Sequence, residues 1–254
     1  MAGIFRPGHA DFSYAAKYGM WDERGGGRAS GRETAARVAA GVVAKKILAE
    51  LGITIAARTS AIGGIEVEGE DFTSNPQILA LLEECLKSGD SVGSMISCGI
   101  YGVKAGVGGP VFGKLSAALA GAVHSIGGVK GVEFGAGFAA AAMKGTENND
   151  GFTQKDDKIA KTGNKAGGIL GGISDGDEIY FKVAIKPPPS VRVAQHTVNT
   201  GGGAEKIVIE GRHDPVIAPR ACVVVEAMAA LVLVDQIFCG FTDRMENVRQ
   251  AYCK

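Results

Sequence analysis

The sequence has no net charge of either sign, since 27 Lys and Arg stand against 27 Asp and Glu. No overall basic field draws the chain to nucleic acid or to an anionic membrane, so any anion site must be local. Cysteine is sparse. Cys85, Cys98, Cys222, Cys239 and Cys253 are an odd number without metal-ligand spacing, and no secretory signal precedes them. They read as reduced thiols in a cytoplasmic protein, and no metal is expected. The chain also lacks a long uninterrupted apolar run. The strongest one, Ala221 to Val234, is broken by Glu226, followed by Asp235 and shorter than a membrane span, so a buried core helix is expected. No repeat of fixed period occurs, and strands and helices do not alternate as in a doubly wound sheet.

Glycine, by contrast, is plentiful, with 39 in 254 residues, which points to tight turns and close backbone approaches to a ligand. Hydrophobic residues at 46% and charged residues at 21% suit a folded domain with a substantial core. Residues 1 to 29 show no sustained period and are expected to be loop-rich. Ser30 and Glu33 then form an S-x-x-E capping box, and Ala35, Val38, Ala39, Val42, Val43, Ile47 and Leu48 predict a helix from Gly31 to Leu51.

Strands are predicted at Ile53 to Ala57, Ile62 to Val67, Val92 to Val103, Val129 to Phe134 and Glu205 to Glu210. A second helix should run from Asn75 and Pro76 to Gly89, a third from Pro110 towards Ile126, and a last from Pro219 to Phe238. Lys144 to Asn164 reads as polar and irregular. Ile169 to Ile185 reads as a hairpin-like unit turning at Ser174, Asp175 and Gly176, stopped by Pro187. The sum is an α+β domain with helices packed on antiparallel sheets.

Four segments could carry chemistry. In GGGRASGR, free N–H groups, the positive end of a helix and the guanidinium groups of Arg28 and Arg32 converge, making a candidate phosphate site. A capped surface helix with solvated arginines is the plainer alternative. GRHDP places Arg212, His213 and Asp214 in a short turn that either faces a pocket or fixes itself by a salt bridge. RPGHAD offers Arg6 as a cation and His9 as a proton donor near neutral pH, or simply a solvated histidine. Lys186 with Pro187, Pro188, Pro189 and Ser190 is a stiff turn suited to hold a ligand edge or merely to end a strand.

Two motifs are decoys. GGPVFGKL has Leu115 where a P-loop needs Ser or Thr, and Pro110 removes an N–H from the cradle. Gly135, Gly137 and Ala140 match G-x-G-x-x-A, but no full helix follows, so a nicotinamide site is weakly supported.

RPGHAD, GGGRASGRETAARVAAG, PVFGKL, VKGVEFGAGF, GGILGGISDG, AIKP and GRHDPVIAPRACVVVEAM occur in the order found in chorismate synthases, and the chain resembles that family from Phe5 to Phe238. The resemblance implies a sandwich of helices between antiparallel β-sheets, a homotetramer, and the 1,4-anti elimination of phosphate from 5-enolpyruvylshikimate 3-phosphate to give chorismate, using reduced FMN without net redox change. It implies that His9 protonates the reduced flavin and that Asp214 helps flavin N5 accept the substrate's ring proton. Arg6, Arg32 and Arg212 would hold substrate carboxylate and phosphate groups. Arg28, Ala29, Ser30, Gly127, Gly128, Gly171, Lys186, Pro187, Pro188, Pro189, Ser190 and Arg212 would line the flavin.

It also implies departures. Residues 1–254 would form a single domain without the family's front segment and its G-E-S-H-G and R-R-R-P-G-Q motifs. Pro188 and Pro189 stand where Thr and Ser are usual, Gly127 and Gly128 replace Asn-Ala, and Gly109 and Gly113 replace acidic residues, so weakened FMN binding is expected. The alternative is a catalytically incomplete scaffold that binds flavin or partner subunits.

Overall fold

The computed structural model describes residues 3–69, 71–155, 158–211 and 213–253. The helices are α1 (Asp11–Tyr18), α2 (Thr34–Glu50), α3 (Pro76–Ser88), α4 (Leu115–His124), α5 (Gly145–Asn148), α6 (Ala218–Gly240) and α7 (Met245–Tyr252). The strands are β1 (Thr54–Ile62), β2 (Ile65–Glu66), β3 (Ser94–Tyr101), β4 (Val129–Phe134), β5 (Phe152–Lys155), β6 (Lys158–Lys161), β7 (Ile169–Leu170), β8 (Ile173–Ser174), β9 (Ile179–Ile185), β10 (Gln195–Val198) and β11 (Ala204–Ile207).

Five strands form an antiparallel sheet in the order β2-β1-β3-β9-β4, and β5-β6, β7-β8 and β10-β11 are two-stranded ribbons. Alternate side chains of β3 and β9 point to one face, which buries Ile96, Cys98, Ile100, Ile179, Phe181 and Val183 completely. That face meets Leu115, Leu119 and Val123 of α4, Val225, Ala229 and Leu233 of α6, and Ala44 and Leu48 of α2 in one core. The α+β architecture read from the sequence is thus present, with helices on an antiparallel sheet.

Helix α6 is 23 residues long and apolar enough to cross a membrane by length and composition, longer than the sequence suggested. Its packing makes it a core helix all the same. Glu226 accepts hydrogen bonds from Lys45 Nζ and from the Ala57 backbone N–H, so α6 is fastened to α2 and β1 by the one acid in its apolar run. α2 and α6 touch at Gly41, where an added Cβ would come within 2.6 Å of Ala227 Cα.

Helix α3 has the ends the sequence announced. Asn75 Oδ1 accepts from Gln77 N at 3.0 Å and Ile78 N at 3.3 Å, Pro76 opens the first turn, and Gly89 closes it at φ 75. Its Ile78 packs with Ile62, Val67 and Val216 in a smaller cluster.

Several local expectations need correction. The front of the chain is not all loop, since Asp11 in the first turn and Gly19 past the last one bound α1. The predicted capping box does not form. Ser30 Oγ accepts from Arg32 N, but Glu33 turns to Arg37, and α2 begins only at Thr34. Its buried stripe is Gly41, Ala44 and Leu48, leaving Val42 and Val43 exposed. The predicted strands at 53–57 and 62–67 are one strand, β1, and its short partner β2.

Pro110 does not open α4, which starts at Leu115, where the Gly172 carbonyl accepts from Leu115 N. Residues 144–164 hold α5 and the β5-β6 ribbon. In that ribbon Lys161, nearly buried, is satisfied by Asp175 at 2.6 Å and Asp177 at 3.1 Å. The unit at 169–185 is not one hairpin. β7 turns at Gly171 and Gly172 into β8, while β9 runs between β3 and β4.

Candidate active site

RPGHAD is placed by the strand before it. Phe5 N donates to Val198 O at 3.2 Å and Thr200 N to Gly3 O at 2.8 Å, laying residues 3–5 along β10. The chain then turns sharply into α1. Asp11, in the first helical turn, receives Arg6 Nε at 2.8 Å, Arg6 Nη2 at 2.7 Å and the Arg6 N–H at 3.0 Å. The hydrogen bond to Asp11 is the main cause that raises the Arg6 pKa, against the opposing effect of burial. Burial alone would push Asp11 up, but the bonds from Arg6 hold it below its usual range. The forked face of Arg6 is therefore spent inside its own motif, with Nη1 lying beside Gly25 of the glycine run.

His9 is half-buried. Its Nδ1 lies 2.9 Å from the Pro7 carbonyl and its Nε2 3.0 Å from Ser190 Oγ, 181 residues away in sequence. Two further contacts fix this junction. Lys186 Nζ donates to Gly8 O at 2.7 Å, and Gly8, at φ 70, lies so close to Pro189 that a Cβ would sit 2.8 Å from Pro189 Cβ. Ser91 Oγ donates to Pro188 O at 2.6 Å, anchoring the proline turn from behind. Burial lowers the His9 pKa, the Pro7 hydrogen bond opposes it, and Arg6 and Lys186 deepen the shift. The imidazole is accordingly neutral at pH 7.

The Lys186 N–H donates to Gly128 O at 2.9 Å, which joins the turn after α4 to the same junction. Burial and the neighbouring Lys130 hold the Lys186 ammonium below its ordinary range, and neither lysine pairs with a carboxylate among the described residues. Arg28 and Arg32 are likewise exposed and without an ion-pair partner there. Ala29 closes a 3-10 turn with Arg28, and Ser30 follows as the cap. Arg37 Nη1 donates to Ser125 Oγ at 2.6 Å and its Nε to Glu33 at 2.9 Å. It ties the front of α2 to the segment leading into Gly127 and Gly128.

Gly171 is not brought into this group. Its turn abuts the front of α4, while Gly127 lies past the other end of that 10-residue helix, a separation of about 15 Å.

The described residues of GRHDP line a cavity that Ser190 also lines. Arg212 falls outside the described residues. His213 is exposed, with its Nε2 3.0 Å from where a Gly211 Cβ would be, and Asp214 pairs with Arg220 Nη1 at 2.8 Å. Asp214, His213, Gly211, Ser190, Arg192 and Asp90 line a cavity of about 260 Å³. Arg192 was not singled out from sequence. Its guanidinium donates to Leu86 O at 3.0 Å, closing the end of α3, and only its position two residues after Ser190 hinted at a role. Arg37 could have been found from its i,i+4 spacing to Glu33. Among the described residues no three His, Cys, Asp or Glu side chains gather to hold a metal ion.

Chemically, the arrangement offers a neutral imidazole hydrogen-bonded to a hydroxyl, a carboxylate beside a small cavity, and four cations without a carboxylate partner among the described residues. Comparisons with known proteins agree in kind. The family model described as chorismate synthase matches residues 1–238. The chain is 49% identical over 269 residues to the chorismate synthase of Lachnospira eligens and 50% identical over 270 to that of Lachnoclostridium phytofermentans, covering 100% of this chain and 74% of each relative. It also superposes on a solved crystal structure of chorismate synthase with a TM-score of 0.75 at 30% identity, covering 96% of this chain and 74% of that one.

Proposed function

The chain belongs to the chorismate synthase family, a family of lyases that release phosphate from 5-enolpyruvylshikimate 3-phosphate to give chorismate, and from that premise we propose that the loop cluster around His9 and Ser190 is its active site and reduced FMN its cofactor. The observation that carries the assignment is the junction itself. Contacts of His9 with Ser190, Gly8 with Lys186, and Lys186 with Gly128 gather three segments, separated by up to 181 residues, at one point. The relatives lend no support to a scaffold without catalysis. A nicotinamide site is also disfavoured, because residues 137–142 form only a 3-10 turn.

The donor set fits an anionic flavin and a substrate bearing phosphate and carboxylates. Lys130 lowers the Lys186 pKa by charge repulsion, and among the described residues Arg28 and Arg32 make no ion pair at the start of a helix. Such cations bind oxyanions by charge-assisted hydrogen bonds. Reduced FMN, when bound, assists the loss of phosphate without net redox change.

In this reading Arg28, Ala29, Ser30, Gly127, Gly128, Lys186 and the Pro187–Ser190 turn hold the flavin, and Gly171 reaches it only at a distant edge. Arg32 and Arg212 hold the substrate's anionic groups. Arg6 acts chiefly by keeping the RPGHAD turn in shape through Asp11. His9 takes up and releases a proton at Nε2, its Nδ1–H being held by the Pro7 carbonyl, and Asp214 is the carboxylate that helps remove the ring proton. A single domain over residues 1–254 agrees with a core that runs from Ala44 to Leu233. Cytoplasmic location and a homotetramer complete the proposal, with exposed Val42, Val43, Leu51 and Phe238 offering apolar surface for subunit contacts.

The test is chorismate formation from 5-enolpyruvylshikimate 3-phosphate under anaerobic conditions with chemically reduced FMN. Product that disappears in Asp214→Asn while flavin binding persists supports the site. Failure of the folded chain to bind FMN in the presence of substrate refutes it.

A further inference from the structure

We propose that Arg37 sets the gap between two walls of the flavin site, by clamping the start of α2 to the turn that carries Gly127 and Gly128. The inference rests on the reading that both segments line the flavin. It goes beyond that reading by naming the residue that spaces them, a positioning residue that acts through the walls and not on the ligand.

Arg37 lies in the first turn of α2, on the stretch that continues from Arg28, Ala29, Ser30 and Arg32. Glu33 Oε2 accepts from its Nε at 2.9 Å in an i,i+4 pair, which fixes the direction of the guanidinium. Nη1 then donates to Ser125 Oγ at 2.6 Å and Nη2 to Ser125 O at 3.3 Å. Nη1 also reaches Met228 Sδ of α6 at 3.8 Å. One side chain thus links α2, α6 and the end of α4.

Ser125 is the residue at which α4 ends. Its N–H donates to Gly121 O at 3.1 Å and its hydroxyl to Ala122 O at 2.6 Å, so the oxygen that receives Arg37 is already fixed to the helix. A cation at a helix C-terminus is also favoured by the macrodipole. Directly after Ser125, Val129 N donates to Ile126 O at 3.2 Å, closing a β-turn with Gly127 and Gly128 at its central positions and Gly128 at φ 94. Gly128 O accepts in turn from the Lys186 N–H at 2.9 Å. The route from Arg37 through Ser125 and Gly128 to Lys186 is therefore one short turn held at both ends by hydrogen bonds.

The same contacts set Arg37 apart from Arg28 and Arg32. Those two make no ion pair among the described residues, whereas all three guanidinium nitrogens of Arg37 donate within the protein. A guanidinium so engaged has no fork left for a phosphate or carboxylate, and Glu33 offsets its charge. A substitution here moves a wall without removing a ligand contact.

Flavin affinity of the fully folded chain separates a spacer from a mere brace of the fold. FMN is titrated by fluorescence with 5-enolpyruvylshikimate 3-phosphate present, at a temperature below the onset of unfolding of every variant. Arg37→Met should raise the FMN Kd about tenfold, and Ser125→Ala about threefold, since the bond from Nη2 to the Ser125 carbonyl survives. The double variant should bind no more weakly than Arg37→Met, because both changes cut one connection. Ser125→Thr, which keeps the hydroxyl, should bind as the wild type does.

Wild-type affinity in folded Arg37→Met overturns the proposal. So does a double variant whose loss is the product of the two single losses, since Arg37 would then act by a route other than Ser125. If Arg37→Met does not fold, Ser125→Ala decides alone, because it leaves the ion pair with Glu33 in place, and unchanged affinity there overturns the clamp. If the wild-type chain itself binds no FMN, the reading of the site falls and the clamp with it.

Discussion

The helix-on-sheet body and the loop cluster at its edge are built on different physics. In the body, Phe181, Ile100, Leu119 and Leu233 are wholly buried, and each is held by many neighbours through area and dispersion. In the cluster, segments distant in sequence meet through single hydrogen bonds, such as His9 to Ser190 and Lys186 to Gly8. Burial tolerates a lost methyl group by partial relaxation. A hydrogen-bonded junction loses its geometry when one partner goes. The body should therefore govern whether the chain folds, and the cluster what it binds and how fast it reacts.

The sharpest way to break this contrast is Phe181→Ala. The side chain is fully buried beside Phe134, with ring centroids 5.4 Å apart, so its removal should cost about 3–5 kcal/mol in urea unfolding. Gly41→Ala should follow at about 1–3 kcal/mol, because the new methyl group would collide with the Ala227 backbone where α2 crosses α6. Both variants, while folded, should keep wild-type FMN affinity. A loss of affinity larger than the loss of stability in either would show that body and cluster are coupled.

The boundary between the regions is probed at Asp11, a core-like anchor inside a site motif. Asp11→Asn should destabilise by about 2 kcal/mol, since it leaves the Arg6 guanidinium without its counter-charge. The pH dependence of stability carries the same information. Both His9 and Asp11 have lowered pKa values in the fold, so in each case the unfolded chain binds protons first. The His9 contribution is present above pH 6.5 and is lost as pH falls through its lower folded value. That of Asp11 is present above pH 3.8 and is lost below it. Acid titration of the unfolding free energy should show two declines, and His9→Gln should abolish the first.

The two regions also differed in how legible they were. Helix α3 could be read from Asn75, Pro76 and Gly89 because caps are local chemistry, and β4 from its β-branched and aromatic Val129, Val132 and Phe134. Apolar helix α6 was visible, but its buried face was not, since an all-round apolar helix has no period to read. The β5-β6 ribbon was hidden because Lys161 finds its counter-charges at Asp175 and Asp177, outside the ribbon. In the cluster, composition and motif marked His9, Lys186 and Ser190 individually. Their meeting depends on chain topology, which no local spacing encodes, and so does the placement of Gly171 at the opposite end of α4.

The smallest expected effect on stability is the most telling about the cluster. Arg28 and Arg32 are exposed and make no ion pair among the described residues, so truncating either should change unfolding free energy by no more than about 0.5 kcal/mol. A guanidinium kept at a helix start without structural employment is available to a ligand oxyanion. Arg28→Ala should therefore weaken FMN binding, and Arg32→Ala should weaken binding of 5-enolpyruvylshikimate 3-phosphate. Each loss should shrink as salt is raised, because exposed charges are screened. Fluorescence titration of FMN with and without substrate reads both. If binding is unchanged while stability falls, these arginines belong to the body after all, and the division between the two regions is drawn in the wrong place.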